Sequence, residues 1–289
     1  MKKYLLGLSF LFSTVLSSAQ HHSCCSASQA TLAFAELGND REFVNAHAEP
    51  LPMVYEAKFG NMVSLKTEGG KEARAFEAKS GPGTGKVILL FHEWWGLNDY
   101  IIREAEGLAA QTGYTVLALD LFDGKVTTDR EQASKFASEI DPNRAQAIIM
   151  AGLDYAGKMG KVQTMGWSFG GGRSLQAAIL GGDKVVGCVM YYGMPELDTA
   201  NLAKLEAPVL GIFARKDGFI TPALADSFAV KMKEVGKPLE IKFYDAVHAF
   251  ANPSNPQYDK VATADARKRA IAFLNANFPQ PKTPVPQKD

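Results

Sequence analysis

Cysteine is scarce in this chain. Three cysteines among 289 residues cannot supply a disulfide framework, so the fold must rest on its apolar core. Charge of either sign in excess is missing too: 31 Lys and Arg balance 31 Asp and Glu. No block of Lys or Arg gathers anywhere along the chain, which removes the electrostatic footprint of a nucleic-acid partner. Long apolar runs are absent past the N-terminus, so no later stretch is long enough to cross a bilayer. There is no internal repeat. Histidine is rare, at five residues, and only His92 and His248 fall between 53 and 278.

What is present begins with Lys2 and Lys3, an apolar run over 4–16, and Ser17-Ser18-Ala19. This reads as a signal peptide over 1–19, cut after Ala19. It predicts an exported protein, periplasmic or secreted, with no membrane anchor after cleavage. An uncleaved anchor is the alternative. Residues 20–52 form an N-terminal extension in which 28–37 and 41–47 have weak helical patterning, ended by Pro50 and Pro52. At its start stand His21, His22, Cys24 and Cys25. Thiolates and imidazoles are soft-metal ligands, and cleavage after Ala19 would put His22 third, where an amine, amides and imidazole could hold Cu(II). The plainer reading is a mobile arm without function. Cys188 lies in an apolar run and is read as a buried, inert thiol. Residues 279–289, with four prolines, read as a disordered tail.

Between 53 and 278 the texture is regular. Alternating segments at 61–67 and 72–78 around Gly69-Gly70 predict a β-hairpin. Continuous apolar strands follow at 86–91, 114–119, 162–166, 185–191, 208–214 and 239–244. Helices are predicted at 99–111, 129–138, 143–159, 173–180, 223–235 and 259–277. Parallel strands alternating with helices make an α/β domain, a doubly wound sheet covered on both faces.

The most informative stretch is Gly166-Trp167-Ser168-Phe169-Gly170, between an apolar strand and a helix. G-x-S-x-G in that context is a nucleophile elbow: a sharp turn exposes the serine, and the flanking glycines allow close backbone packing. Serine needs a base within hydrogen-bond reach and a carboxylate to orient the base. In a doubly wound sheet these groups gather at the carboxyl ends of the strands. Asp217 follows the strand 208–214, and His248 follows 239–244. Their rivals are His92 as base, and Asp120, Asp226 or Asp245 as orienter. Developing negative charge needs backbone N–H donors, predicted at Phe169 and at Trp94 in the loop after 86–91.

These pieces also resemble a family. His92-Glu93-Trp94-Trp95-Gly96-Leu97-Asn98-Asp99, Asp120-Leu121-Phe122, Gly166 to Gly171, Lys216-Asp217 and His248-Ala249-Phe250 are similar to the dienelactone hydrolase family of α/β-hydrolases. The resemblance spans roughly 53–278. It implies an α/β-hydrolase fold, a triad of Ser168, His248 and Asp217, an oxyanion hole at the amides of Trp94 and Phe169, and Glu93 beside the nucleophile. A polar rim or salt bridge is the alternative role for Glu93.

Two positions depart from the founding members. They carry cysteine where this chain has Ser168, and an arginine that grips a substrate carboxylate where it has Asn252. A neutral amide cannot make that charge-assisted fork. Arg130 could compensate, or simply be solvated.

The link 193–207 is too short for a cap domain. An open, shallow pocket is therefore expected, walled by Trp94, Trp95, Phe122, Phe169, Tyr192 and Phe250, with Glu93 and Asn252 at its edge. The sequence thus predicts an exported serine hydrolase of small carboxylic esters or lactones that needs no cofactor and no metal. A binding protein on a hydrolase fold and an acyltransferase are the alternatives. Oligomeric state is left open.

Overall fold

The apolar runs form a twisted sheet because buried parallel strands need no polar face. A computed structural model describes residues 28–279. The expected signal peptide, the His21, His22, Cys24 and Cys25 cluster and all of the tail past Pro279 lie outside the described residues. The strands are β1 (Gly60–Leu65), β2 (Ala73–Ala78), β3 (Lys86–Phe91), β4 (Thr115–Leu119), β5 (Lys161–Trp167), β6 (Val185–Tyr191), β7 (Val209–Ala214) and β8 (Leu239–Tyr244). They make one 8-stranded sheet in the order β1-β2-β4-β3-β5-β6-β7-β8. The β1–β2 and β2–β4 pairs are antiparallel, and the pairs from β4 through β8 are parallel.

Helices cover both faces. On one side α3 (Asp99–Thr112) and α9 (Lys260–Asn277) pack on Ile88, Leu90, Val116 and Ile212. On the other, α4 (Arg130–Ser138), α5 (Pro142–Gly157), α6 (Phe169–Gly181) and α8 (Pro222–Glu234) pack on Val87, Leu89 and Leu117. The ends follow from the sequence. The side chain of Asn98 accepts from the Ile101 N–H, and Gly113 closes α3 at φ 72°. Helix α6 begins at Phe169, four residues earlier than its glycine-rich start predicts. The link after β6 carries only α7 (Thr199–Leu202) and no larger insertion.

The extension is part of the fold. Helices α1 (Gln29–Asn39) and α2 (Arg41–Ala46) bury Phe34, Phe43 and Val44 in the same core as α4 and α6. Arg173 of α6 donates to Thr31 Oγ1 at 3.0 Å, and Ser134 Oγ donates to the Gly38 carbonyl. The Phe43 ring packs edge-on against Trp94 at 5.5 Å and Phe219 at 5.1 Å. Loops that carry the candidate site therefore rest on α2.

Phe43→Ala is expected to lower unfolding free energy by about 3–5 kcal/mol in denaturant titrations, as large-to-small core changes do. Leu32→Ala, at a side chain 53% exposed, is the control and should change it by roughly 0.5 kcal/mol or less. Equal small losses at both sites would contradict the packing described.

Candidate active site

Ser168 sits between the last residue of β5 and the first of α6, with φ 51° and ψ −116°. A non-glycine residue rarely adopts this conformation, and the surroundings hold it there. The Ser168 N–H donates to the Tyr191 carbonyl at 2.9 Å, and its own carbonyl accepts from Gly171 at 2.9 Å. A Cβ on Gly166 would lie 2.2 Å from the Gly170 carbonyl oxygen, and one on Gly170 would lie 2.3 Å from that of Phe91. Both glycines of the motif are required by backbone approach.

Two more loops converge on this turn. His248 follows β8, and Asp217 follows β7. Backbone bonds tie the loops together: Arg215 N–H to Tyr244 O at 2.8 Å, and Lys216 N–H to Ala246 O at 2.9 Å. Ser168 Oγ lies 2.9 Å from His248 Nε2, and His248 Nδ1 lies 2.6 Å from Asp217 Oδ2. The other Asp217 oxygen accepts from the N–H groups of Phe219 and Ile220, both at 2.9 Å. The carboxylate is thus fixed and leaves one oxygen for the imidazole.

The rival residues are engaged elsewhere. His92 is fully buried; its Nδ1 donates to the Glu93 carbonyl at 2.6 Å and its Nε2 accepts from the Leu121 N–H at 3.1 Å. Burial pushes its pKa down. Asp120 accepts from the Phe122 N–H, Asp245 pairs with Lys216 at the surface, and Asp226 lies on α8. Arg130 donates to the Asn45 carbonyl of α2, so it anchors the extension. Cys188 is buried, and burial raises its thiol to about 11.

The expected pocket walls divide into two groups. Glu93, Trp94, Trp95 and Asn252 line a small chamber with Ser168. Phe122, Tyr192 and Phe250 do not. Phe122 lies behind Phe169 at 5.2 Å and His92 at 4.8 Å. Tyr192 packs edge-on against His248 at 5.1 Å and Phe250 at 5.5 Å. These rings pack against the site residues and line neither the Ser168 chamber nor the adjoining cleft. Nor is the site open: Ser168 is 3% exposed, and His47 and Ala48 of the extension close the chamber.

Neither the Trp94 nor the Phe169 N–H donates to an acceptor among the described residues. Two buried amides unpaired among the described residues, close to Ser168, call for an explanation.

Asn252 Nδ2 donates to Glu93 Oε2, and Asn252 Oδ1 accepts from the Ser254 hydroxyl at 2.6 Å and N–H at 2.8 Å. Glu93 Oε1 is buried without a partner. Burial raises the Glu93 pKa to about 8, against the lowering effect of Asn252. Beyond this pair a cleft of about 210 Å³ is lined by Trp95, Tyr100, Trp167, Tyr191, Tyr258 and Arg267. Among the described residues no group of three His, Cys, Asp or Glu side chains is placed to hold a metal ion.

Sequence reasoning missed His47. Its ring lies 5.2 Å from that of His248 and 4.5 Å from that of Trp94. It stands outside every motif, and its only signal was the scarcity of histidine.

A mostly parallel sheet in this order, with a serine on the turn after its central strand, defines an α/β hydrolase. The chain belongs to the dienelactone hydrolase family, whose model matches residues 72–278. It is 26% identical over 233 residues to carboxymethylenebutenolidase from Pseudomonas sp., covering 75% of this chain and 95% of that one. With protein usf of Aquifex pyrophilus it shares 29% over 227 residues, covering 74% and 97%. Its fold matches a dienelactone hydrolase-like promiscuous phosphotriesterase from metagenomic libraries, with TM-score 0.66 and 20% identity over 77% of this chain and 100% of that one. An esterase from Pyrococcus furiosus gives TM-score 0.60 and 16% identity over 78% and 98%.

The Glu93 shift has a consequence for stability. Below the ordinary value of 4.5 both folded and unfolded chains carry the proton. Between 4.5 and about 8 the unfolded chain releases it while the folded chain keeps it, so stability falls as pH rises. Glu93→Gln removes this loss. Its Tm should rise relative to wild type from pH 5 to pH 8, by on the order of a few kcal/mol in equivalent free energy. A difference that stays constant across that range would contradict the assignment.

Proposed function

We propose that this protein is an exported serine hydrolase that cleaves small carboxylic esters or lactones through an acyl-enzyme. The observation that carries the reading is the hydrogen-bonded chain from Ser168 through His248 to Asp217, at 2.9 Å and 2.6 Å. Ser168 Oγ attacks the acyl carbon while its proton passes to His248 Nε2. Asp217 holds the Nδ1–H and stabilises the imidazolium. The unpaired N–H groups of Trp94 and Phe169 receive the oxyanion. The C–O bond to the leaving alcohol breaks, and the alcohol takes the proton from His248. Water then attacks the acyl carbon, gives a proton to His248, and Ser168 regains it as the acid leaves.

The chamber at Ser168, which no Lys or Arg lines, favours an uncharged acyl group. Asn252, held by Glu93 and Ser254, offers no cation near Ser168, so a substrate carboxylate finds no charge-assisted partner there. Arg267 is paired with Glu104. Export rests on the N-terminal pattern alone: Lys2 and Lys3, the apolar run and Ala19. N-terminal sequencing of the protein secreted by its native host should begin at Gln20; a start at Met1 would contradict export by cleavage.

Ser168→Ala should lower ester turnover by about ten-thousand-fold or more. Asp217→Asn should cost about ten-thousand-fold, because it favours the wrong imidazole tautomer. A panel of short-chain esters and lactones against wild type and both variants makes the test. Full turnover in Ser168→Ala would end the serine assignment. Turnover absent from the wild type on every member would favour a binding module.

A further inference from the structure

The extension brings a second imidazole to the nucleophile, and the mechanism above leaves it unused. His47 caps the end of α2, where its backbone N–H reaches Val44 O and its Nδ1 lies 2.7 Å from Phe43 O. A carbonyl only accepts, so Nδ1 carries the hydrogen and Nε2 is left as an acceptor. Among the described residues Nε2 has no partner. The ring is clamped between Phe43, at 4.3 Å, and Trp94, at 4.5 Å, and stands edge-on to His248. His47 is buried, and burial with the neighbouring His248 drives its pKa down to about 3. It therefore stays neutral while His248 gains and loses a proton.

The space beside His47 and Ser168 is small. The chamber shared by Ser168, His47, Glu93 and Trp94 holds about 10 Å³, close to the room one water needs. A water there requires two or more polar partners. His248 accepts one of its protons during attack, and the other O–H needs an acceptor at a fixed place.

Building on the serine reading, we propose that His47 is a positioning residue for the second half-reaction. Its Nε2 accepts a hydrogen bond from the water that attacks the acyl-enzyme. The reacting O–H points at His248 Nε2, the second O–H at His47 Nε2, and the oxygen faces the acyl carbon. The water oxygen bonds to that carbon, the bond from carbon to Ser168 Oγ breaks, and the proton travels through His248 to Oγ. His47 exchanges no proton.

Acylation needs no water, so the proposal separates the two halves. The full-length protein is mixed with p-nitrophenyl acetate under stopped flow, and labelling by a fluorophosphonate is timed separately. His47→Phe fills the space without an acceptor, and His47→Ala empties it. Both should label at a rate within about threefold of wild type. Both should deacylate on the order of tenfold to a hundredfold more slowly, so that a burst of p-nitrophenol precedes a slow steady state. His47→Gln, whose amide oxygen can accept, should recover most of the deacylation rate. Having both a larger and a smaller replacement keeps the test valid if one variant does not fold. Unchanged deacylation, or acylation and deacylation falling in parallel, would overturn the role of His47. No labelling of Ser168 in the wild type would overturn the serine reading itself, a distinct outcome.

Discussion

The close approach of β3, β5 and α6 at the serine turn is the constraint on which the site depends. The backbone of Gly170 lies against the carbonyls of Phe91 and His92, leaving no room for a Cβ. That contact sets Ser168 in its unusual conformation at φ 51° and aims the start of α6 at the chamber. The same contact puts the loop after β3, with Glu93 and Trp94, beside the turn. One piece of backbone packing thus arranges the serine, two unpaired amides and a buried carboxyl together. Strain at the turn is sustained by the sheet on either side, through Tyr191 O on β6 and Phe91 O on β3.

The extension adds a layer that the sheet alone lacks. Phe34 packs on Phe169, Phe43 on Trp94 and Phe219, and His47 on Trp94 and His248. Each residue so covered, or its neighbour, belongs to the candidate site. The segment that reads as an appendage helps to close the chamber at Ser168, through His47 and Ala48. In a buried site hydrogen bonds and charges act more strongly than at the surface. Burial there raises the Glu93 pKa and lowers that of His47, so it favours the neutral form of each.

Much of this was legible in the sequence. Six apolar runs are strands within two residues of their predicted ends, because buried parallel strands are apolar throughout. Ser168, Asp217 and His248 could be singled out because loops after parallel strands collect at one sheet edge and chain order limits the pairings, and the structure brings the three within hydrogen-bond reach. The start of α6 was set too late, since Gly170-Gly171-Gly172 looks like loop and tertiary packing overrides propensity. Only part of the expected pocket wall lines the chamber at Ser168. Position after a strand tells which edge a ring belongs to, but not whether it points up to a ligand, like Trp95, or down into the core, like Phe250. His47 was invisible because its contacts reach across 201 positions of chain to His248 with no motif around it.

In the proposed mechanism Ser168 forms a covalent bond to the acyl group. Acid quenching of the enzyme in the first turnovers of an activated acetate ester, followed by peptide mass mapping, tests it directly. One acetyl group is expected on the peptide bearing Ser168, lost again when turnover is allowed to finish. An acetyl group on another residue, or turnover with no adduct and no labelling of Ser168, would contradict it.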